Sequence, residues 1–331
     1  MTSWGMEPLL EKKMLLALKA KAFKDPQTIQ SLWNGYGKIV RLGLVGGERS
    51  SIVIKRIRPE KRGAHKRGWD QDFGHERKLK SYEVEACFYK DYQSMLKEPS
   101  STAQCIGVLK TEKETLLLLE DLTEKGYPLV LETVTLEQLE AVLKWLAYFH
   151  ATFLGVSPKG LWQTGTYWHL ETRPDELKAL LDLPLKKAAP FLDEALKSSP
   201  YQTLVHGDAK VANFCFSPSG DRVCGVDFQY VGGGPGIKDV AYFVSSVFNS
   251  EQSKAYESHV LDVYFSHFKK AAMDKKLLHI NIEKLEENWR ELYPIAWADF
   301  YRFLKGWCKD HKKINDYSSK IARKVCEKFN F

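Results

Sequence analysis

The stretch that most constrains this chain is residues 204–246, LVHGDAKVANFCFSPSGDRVCGVDFQYVGGGPGIKDVAYFVSS. An apolar strand end, Leu204 and Val205, delivers His206-Gly207-Asp208, and Asn213 follows after four intervening residues. Phe214 to Phe216 run into Ser217-Pro218-Ser219-Gly220-Asp221, and Val223 to Val226 return to end on Asp227-Phe228-Gln229. Apolar runs separated by Pro, Ser, Gly and Asp read as a β-hairpin. Such a hairpin sets Asn213 and Asp227 at neighbouring strand ends, with Asp208 one loop away. Any one of these side chains alone would be a solvated group at a turn; the ordered set between apolar runs points to a site.

Oxygen ligands so placed suit phosphoryl transfer, in which the protein does little covalent chemistry and mostly positions charge around a nucleotide triphosphate. In that reading Asp208 orients an acceptor hydroxyl and takes its proton, while Asn213 and Asp227 hold magnesium on the phosphates. Lys210 reaches the γ-phosphate as a point charge. The order H-G-D-A-K-V-A-N followed by D-F-Q is close to the kinase pattern H-R-D-x-x-x-x-N followed by D-F-G. It resembles the catalytic core of the aminoglycoside phosphotransferase and choline kinase superfamily, whose members share the protein-kinase fold but phosphorylate small molecules; the closest resemblance is to the ecdysteroid-kinase-like group. Gly207 in place of the arginine, Gln229 in place of the last glycine, and the lack of an A-P-E segment after Asp227 all fall on the small-molecule side.

The resemblance implies an α+β, two-lobed protein-kinase-like fold. A small N-terminal antiparallel sheet with one main helix, residues 1–122, would bind nucleotide, and a larger, mostly helical lobe, 123–331, would carry catalysis and the acceptor. It also implies ATP and Mg2+ as cofactors and a small-molecule hydroxyl substrate, choline-, sterol- or aminoglycoside-like.

The totals agree with a folded enzyme. A length of 331 residues, 44% hydrophobic and 12% aromatic, is ample for two packed lobes. The net charge of +7 comes from 49 basic against 42 acidic residues, a mixed surface that does not call for a nucleic-acid partner. Cys87, Cys105, Cys215, Cys224, Cys308 and Cys326 form no C-x-x-C pair and read as reduced thiols of a cytoplasmic protein, with structural zinc disfavoured. The N-terminus is broken by Glu11, Lys12 and Lys13, so it makes a poor secretory signal, and no apolar run is long enough to span a membrane. Nothing in the sequence speaks to oligomeric state or to ATP against GTP.

Taken in order, residues 6–24 have helical spacing and predict an opening helix that stops before Asp25-Pro26. Residues 28–33, 38–44 and 51–57 read as strands, with turn signals at Asn34-Gly35 and Gly46-Gly47. Ile52-Val53-Ile54-Lys55 is close to the V-A-I-K strand whose lysine meets the α and β phosphates. No G-x-G-x-x-G occurs, so a loop over the phosphates would use Gly35-Tyr36-Gly37 or Gly46-Gly47, and both stay open. Residues 58–80 are polar and basic, a connection or, by resemblance to an insertion in bacterial relatives, a segment whose cations reach a phosphate or an anionic substrate. In the helix that follows, about 76–96, Glu85 stands where relatives keep the acid that pairs the strand lysine, with Glu83 as the competing choice.

Residues 102–109 and 114–121 predict two further strands, the second containing Leu116 to Leu119, consecutive leucines that suit a strand buried on both faces. By the resemblance, the main chain of Glu120 to Leu122 meets the adenine edge. Thr135 and Gln138 make a capping box before an apolar helix. The glycine- and proline-punctuated segment 155–200 reads as a variable connection, and 230–236 as a flexible loop. By the same resemblance, Asp239 stands where an acid braces the catalytic-loop backbone, and His150 reads as a packed helix residue. Helices are expected at 251–271, 281–306 and 315–329. In the second of these an aromatic stripe reads first as core, with Trp297 and Asp299 as candidates to hold a cationic acceptor. A catalytically silent module holding nucleotide, RNA or a protein partner is the competing functional reading, and it would predict loss of a metal ligand.

Overall fold

The computed structural model describes residues 6–58 and 71–331. A first helix, α1 (Pro8–Ala17), precedes three strands, β1 (Ala22–Ser31), β2 (Gly37–Val45) and β3 (Ser51–Ile57). After α2 (Gln71–Asp91) come β4 (Cys105–Lys110) and β5 (Thr115–Leu119). Among the described residues these strands make one antiparallel five-stranded sheet in the order β1-β2-β3-β5-β4. Alternation along β5 splits its leucines: Leu116 and Leu118 pack with Met14, Leu18, Ile52 and Ile54 under α1, whereas Leu117 and Leu119 join the main core with Phe88. Lys55 pairs in register with Leu117, so the same alternation turns it away from α1 and towards α2.

The opening helix is shorter than its periodicity predicts. Lys19 adopts a left-handed conformation (φ 49°), and residues 22–31 leave the helix to pair with β2. Asp25-Pro26 does not end an element; a register shift between Lys24 and Gln27 accommodates it within β1. An edge strand tolerates this because the missing proline N–H is not needed by a second neighbour.

The rest is mostly helical. A short strand β6 (Leu129–Val130) leads to α3 (Leu136–Thr152), whose Thr135–Gln138 capping box is present. Two helices, α4 (Pro174–Ala179) and α5 (Leu183–Lys197), occupy the segment expected to be a variable connection. Then come β7 (Thr203–Val205), the hairpin β8 (Phe214–Phe216) and β9 (Val223–Gly225), β10 (Gly232–Gly234), and helices α6 (Ile237–Val247), α7 (Ser250–Asp274), α8 (Ile282–Trp307) and α9 (Asp316–Lys328).

The triple glycine read as a flexible loop is instead strand β10, paired antiparallel with β7. Its glycines serve close packing: a Cβ on Gly232 would lie 2.2 Å from the Trp162 carbonyl oxygen, and one on Gly233 2.5 Å from that of Gln163. Trp145, Phe149, Phe88 and Phe228 fill the floor below the hairpin, and the Phe88 and Phe228 rings stack with centroids 4.0 Å apart.

Helix α8 crosses α4 at Gly306, where an added Cβ would sit 2.0 Å from the Glu176 carbonyl oxygen. Gly306→Ala is therefore expected to push the two helices apart and cost about 1–3 kcal/mol, the usual range for overpacking. Thermal or urea unfolding of the variant checks this, and an unchanged midpoint would mean that the crossing is looser than described.

Candidate active site

A cleft of about 1020 Å³ opens between the sheet and the helical part, and Lys55, Glu85, Glu120, Leu122, Asp208, Lys210, Asn213 and Asp227 all line it. Lys55 is 4% exposed, and its Nζ donates to Glu85 Oε1 at 2.8 Å and to Asp227 Oδ1 at 3.0 Å. Of the two acids left open on α2, Glu85 thus meets the lysine, while Glu83 lies 3.6 Å from Lys110 at the surface. Burial alone would lower the Lys55 ammonium, but the charges of Asp227 and Glu85 outweigh it and hold it above its ordinary value. Burial would likewise raise Asp227, yet Lys55 holds it well below the usual carboxylate range. Glu85 goes the other way: burial lifts its carboxyl to about 7 against the pull of Lys55.

Backbone geometry aims the hairpin that carries Asp227. Asp227 has φ 67°, a left-handed conformation just past β9, which turns its carboxylate back towards Lys55. Gln229 Nε2 donates to the same Asp227 Oδ1 at 2.5 Å, and its side-chain Oε1 accepts from Lys78 Nζ at 2.6 Å. The segment His206-Gly207 is held from beneath by Asp239, whose carboxylate accepts both backbone N–H groups at 2.6 and 2.9 Å. His150 lies 3.0 Å from Asp239 on its other side and 2.8 Å from the Tyr264 hydroxyl, so it is a buried brace. Only glycine fits at 207: φ is 80°, and a Cβ would meet the Tyr230 carbonyl oxygen at 2.1 Å.

Asp208 accepts from Tyr242 at 2.9 Å on Oδ1, and on Oδ2 from Lys210 at 3.1 Å and Asn213 Nδ2 at 3.0 Å. Burial, then the Asp208 charge, keeps the Tyr242 phenol well above its ordinary value, so it stays a donor. Because the Asn213 amide nitrogen is also bound to the Asp208 carbonyl at 2.8 Å, its Oδ1 is the atom left for a cation. The Val226 N–H binds the Asn213 carbonyl at 2.9 Å, which brings that amide beside Asp227, whose side chain is 32% exposed to the cleft. An amide oxygen and an ionised carboxylate are the hard donors that magnesium takes, so this donor set fits the ion.

At the other end, the Glu120 N–H is spent on the Gln104 carbonyl at 2.9 Å. The Glu120 carbonyl and the Leu122 N–H have no backbone partner among the described residues. The neighbouring Asp121 is pinned by Arg41 at 2.6 Å and Ser51 at 2.6 Å, which fixes this connection to the sheet. Of the two glycine turns, the one after β1 lies at the cleft, with Leu32, Trp33 and Tyr36 in its wall, whereas Gly46 sits against Lys21 near α1.

Trp297 and Asp299 do not reach the cleft. Trp297 is 2% exposed and meets Tyr317 edge-on, and Asp299 is bonded to Arg302 at 2.8 Å and to Trp168 at 3.1 Å. The periodicity that made them conspicuous is that of a core helix. The cleft wall there is formed by Tyr167, Arg173, Glu176, Tyr242, Phe303 and Trp307. The sequence marks 155–200 as a segment open to the acceptor without naming a residue in it, and shows Trp307 only as part of the aromatic stripe; Tyr242 and Phe303 carry no local signal of a site. Of the basic run 58–80, residues 59–70 lie outside the described residues; Arg77 and Lys78 stand at the cleft. His169, Glu171 and Asp193 cluster within 4.8 Å, but Lys197 Nζ lies 2.8 Å from both carboxylates and fills the cation's place. No helix among the described residues is long and apolar enough to cross a membrane.

Comparison with known proteins gives a family and a fold. The model of the ecdysteroid kinase-like family matches residues 69–157 and 166–277, and the chain belongs to that family. Similar folds occur in a putative fructosamine-3-kinase from Haemophilus somnus (13% identity, TM-score 0.52, covering 97% of both chains). An ethanolamine kinase from Plasmodium vivax is alike too (12% identity, TM-score 0.52, 98% of this chain and 96% of that one). So is a thermostable aminoglycoside phosphotransferase mutant in ternary complex with ADP and hygromycin B (11%, 0.51, 96% and 98%). At such identities these structures show the fold alone. No curated protein sequence matches the chain.

The Glu85 carboxyl yields a pH prediction. The folded protein keeps its proton up to about 7, against an ordinary value of 4.5, so between these pH values the folded state binds more protons and this group's contribution to stability falls as pH rises. Glu85→Gln is expected to lose that slope, its melting temperature gaining on wild type from the lower to the upper end of the window. Parallel melting curves for the two proteins would contradict it.

Proposed function

We propose that this chain is an ATP- and magnesium-dependent phosphotransferase that moves the γ-phosphoryl group to a hydroxyl of a small molecule. The observation that carries the reading is the convergence of the Lys55–Glu85–Asp227 and Asp208–Lys210–Asn213 groups on one cleft. Lys55, held by Glu85, meets the α and β phosphates; Asn213 Oδ1 and Asp227 hold the metal; the Glu120 carbonyl and Leu122 N–H face the adenine edge. Magnesium, when bound, neutralises phosphate charge.

Asp208 orients the acceptor hydroxyl and takes its proton as the oxygen–phosphorus bond forms and the bond between the γ-phosphorus and the β–γ bridging oxygen breaks. Tyr242, Lys210 and Asn213 keep that carboxylate in one orientation, and Lys210 steadies the transferring group. Rate enhancement then comes from positioning and preorganised charge and needs no covalent intermediate. Division of the chain into a nucleotide lobe up to residue 122 and a catalytic lobe from 123 follows from where these groups originate. Six free thiols suit a cytoplasmic setting.

The test is ADP release from ATP and magnesium in the presence of pooled alcohols, amino alcohols, sugars and sterols. Asp208→Asn is expected to lower turnover about 10²–10⁴-fold, the usual contribution of a general base, while a nucleotide analogue still raises its melting temperature. Equal turnover by the two proteins would end the assignment of Asp208. Nucleotide binding with no transfer by wild type would favour a silent binding module.

A further inference from the structure

The acceptor side of the cleft is walled by aromatic rings, yet their faces are already taken by the protein's own cations. The Arg173 guanidinium carbon lies 5.8 Å from the Tyr167 ring centroid and 5.1 Å from that of Phe303. Lys313 Nζ stands 4.4 Å from the Tyr242 centroid, and Lys78 Nζ 5.8 Å from that of Tyr230. A quaternary or primary ammonium on the acceptor would have to displace these cations, against like-charge repulsion. The nearby Glu176 carboxylate does not invite a cation either, since its Oε1 accepts from Arg173 Nη1 at 3.1 Å.

Two guanidiniums meet at this end from separate elements. Arg77, on α2, donates from Nη1 to the Thr172 carbonyl at 2.7 Å, and the next residue in the chain is Arg173, which is 9% exposed. Arg173 spends Nε on the Tyr167 carbonyl and Nη1 on Glu176. The Nη2 of each arginine has no protein hydrogen-bond partner among the described residues, and both residues line the cleft. Burial first, and then the Arg173 charge, lowers Arg77 to about 10. Glu176, 3.1 Å from Arg173, and Asp175 offset part of this repulsion, and an anion in the cleft would share the guanidinium edges that remain.

Building on the phosphotransferase reading, we propose that Arg77 and Arg173 form an anion subsite, so that the acceptor is a hydroxyl compound carrying a carboxylate or like oxyanion alongside an apolar body. The guanidinium edges supply charge-assisted hydrogen bonds to that oxyanion. Tyr167, Phe303 and Trp307 supply the apolar contact, and the hydroxyl lies towards Asp208.

Three matched probes test this on the ADP- and magnesium-loaded protein by calorimetry: para-hydroxymethylbenzoate, its neutral carboxamide, and the para-trimethylammonium benzyl alcohol. The benzoate is expected to bind at least about tenfold more tightly than either other probe, a difference read directly from the dissociation constants. Arg77→Met and Arg173→Met should each abolish that preference while leaving ADP affinity unchanged. Both arginines also bind a backbone carbonyl, so ADP affinity and the melting temperature of each variant are the checks on fold. Equal binding of the probes, preference for the ammonium, or no saturable binding of any probe overturns the proposal. Loss of ADP affinity in step with loss of benzoate binding overturns it too, because the arginines would then serve the nucleotide. Transfer is read separately: a benzoate preference without phosphorylation of any acceptor sinks the phosphotransferase reading and leaves the anion subsite standing.

Discussion

One buried ammonium ties the molecule together. Lys55 comes from the middle of the sheet, Glu85 from the helix beside it and Asp227 from the hairpin of the helical part, and the lysine bonds to both acids at once. An unpaired ammonium at that depth would be expensive, so sheet, helix and hairpin must approach together or none is well placed. The arrangement also makes the two carboxylates unequal: Asp227 is held ionised and half-open to the cleft, whereas burial pushes Glu85 up. The acid kept charged is the one that can serve a metal, and the other fixes the lysine.

Beneath that pair, the segment carrying Asp208 rests on groups buried behind the cleft. Asp239 binds two successive N–H groups of His206-Gly207 and is itself backed by His150. Phe228, the middle residue of the Asp-Phe-Gln turn, is stacked on Phe88 of α2 and lies near the His206 ring, with centroids 4.8 Å apart. The turn that presents Asp227 and the loop that presents Asp208 therefore rest on one aromatic floor, and movement of either is felt by the other. Such support is what holds a positioning mechanism to its geometry, because catalysis by oriented charge is lost over small displacements.

What was legible in the sequence has a common origin in local pattern. The order Asp208, Asn213, Asp227 is carried by turn residues between short apolar runs, the leucine run of β5 follows from a strand buried on two faces, and Thr135 with Gln138 announces a helix start. These signals act over a few residues. The partners that complete the site do not: Tyr242 reaches Asp208 from 34 residues away and Lys78 reaches Gln229 from 151. Their identity depends on which faces the fold brings together. Local signal and tertiary packing diverge at Gly232 to Gly234, chosen for close approach in a paired strand, whereas the stripe holding Trp297 is the core that its spacing first suggests. The wall carrying Tyr167, Arg173 and Glu176 comes from a segment without periodicity, and nothing short of the folded chain places it.

The chain belongs to the ecdysteroid kinase-like family, and the proposed phosphoryl transfer requires a metal-bound triphosphate between Lys55 and the Asn213–Asp227 pair. The most direct measurement is a crystal structure with magnesium and a non-hydrolysable ATP analogue. The account predicts metal density against Asn213 Oδ1 and the Asp227 carboxylate, with phosphate oxygens on Lys55 Nζ. A nucleotide bound elsewhere, or bound in the cleft with its phosphates turned away from those three side chains, would contradict it.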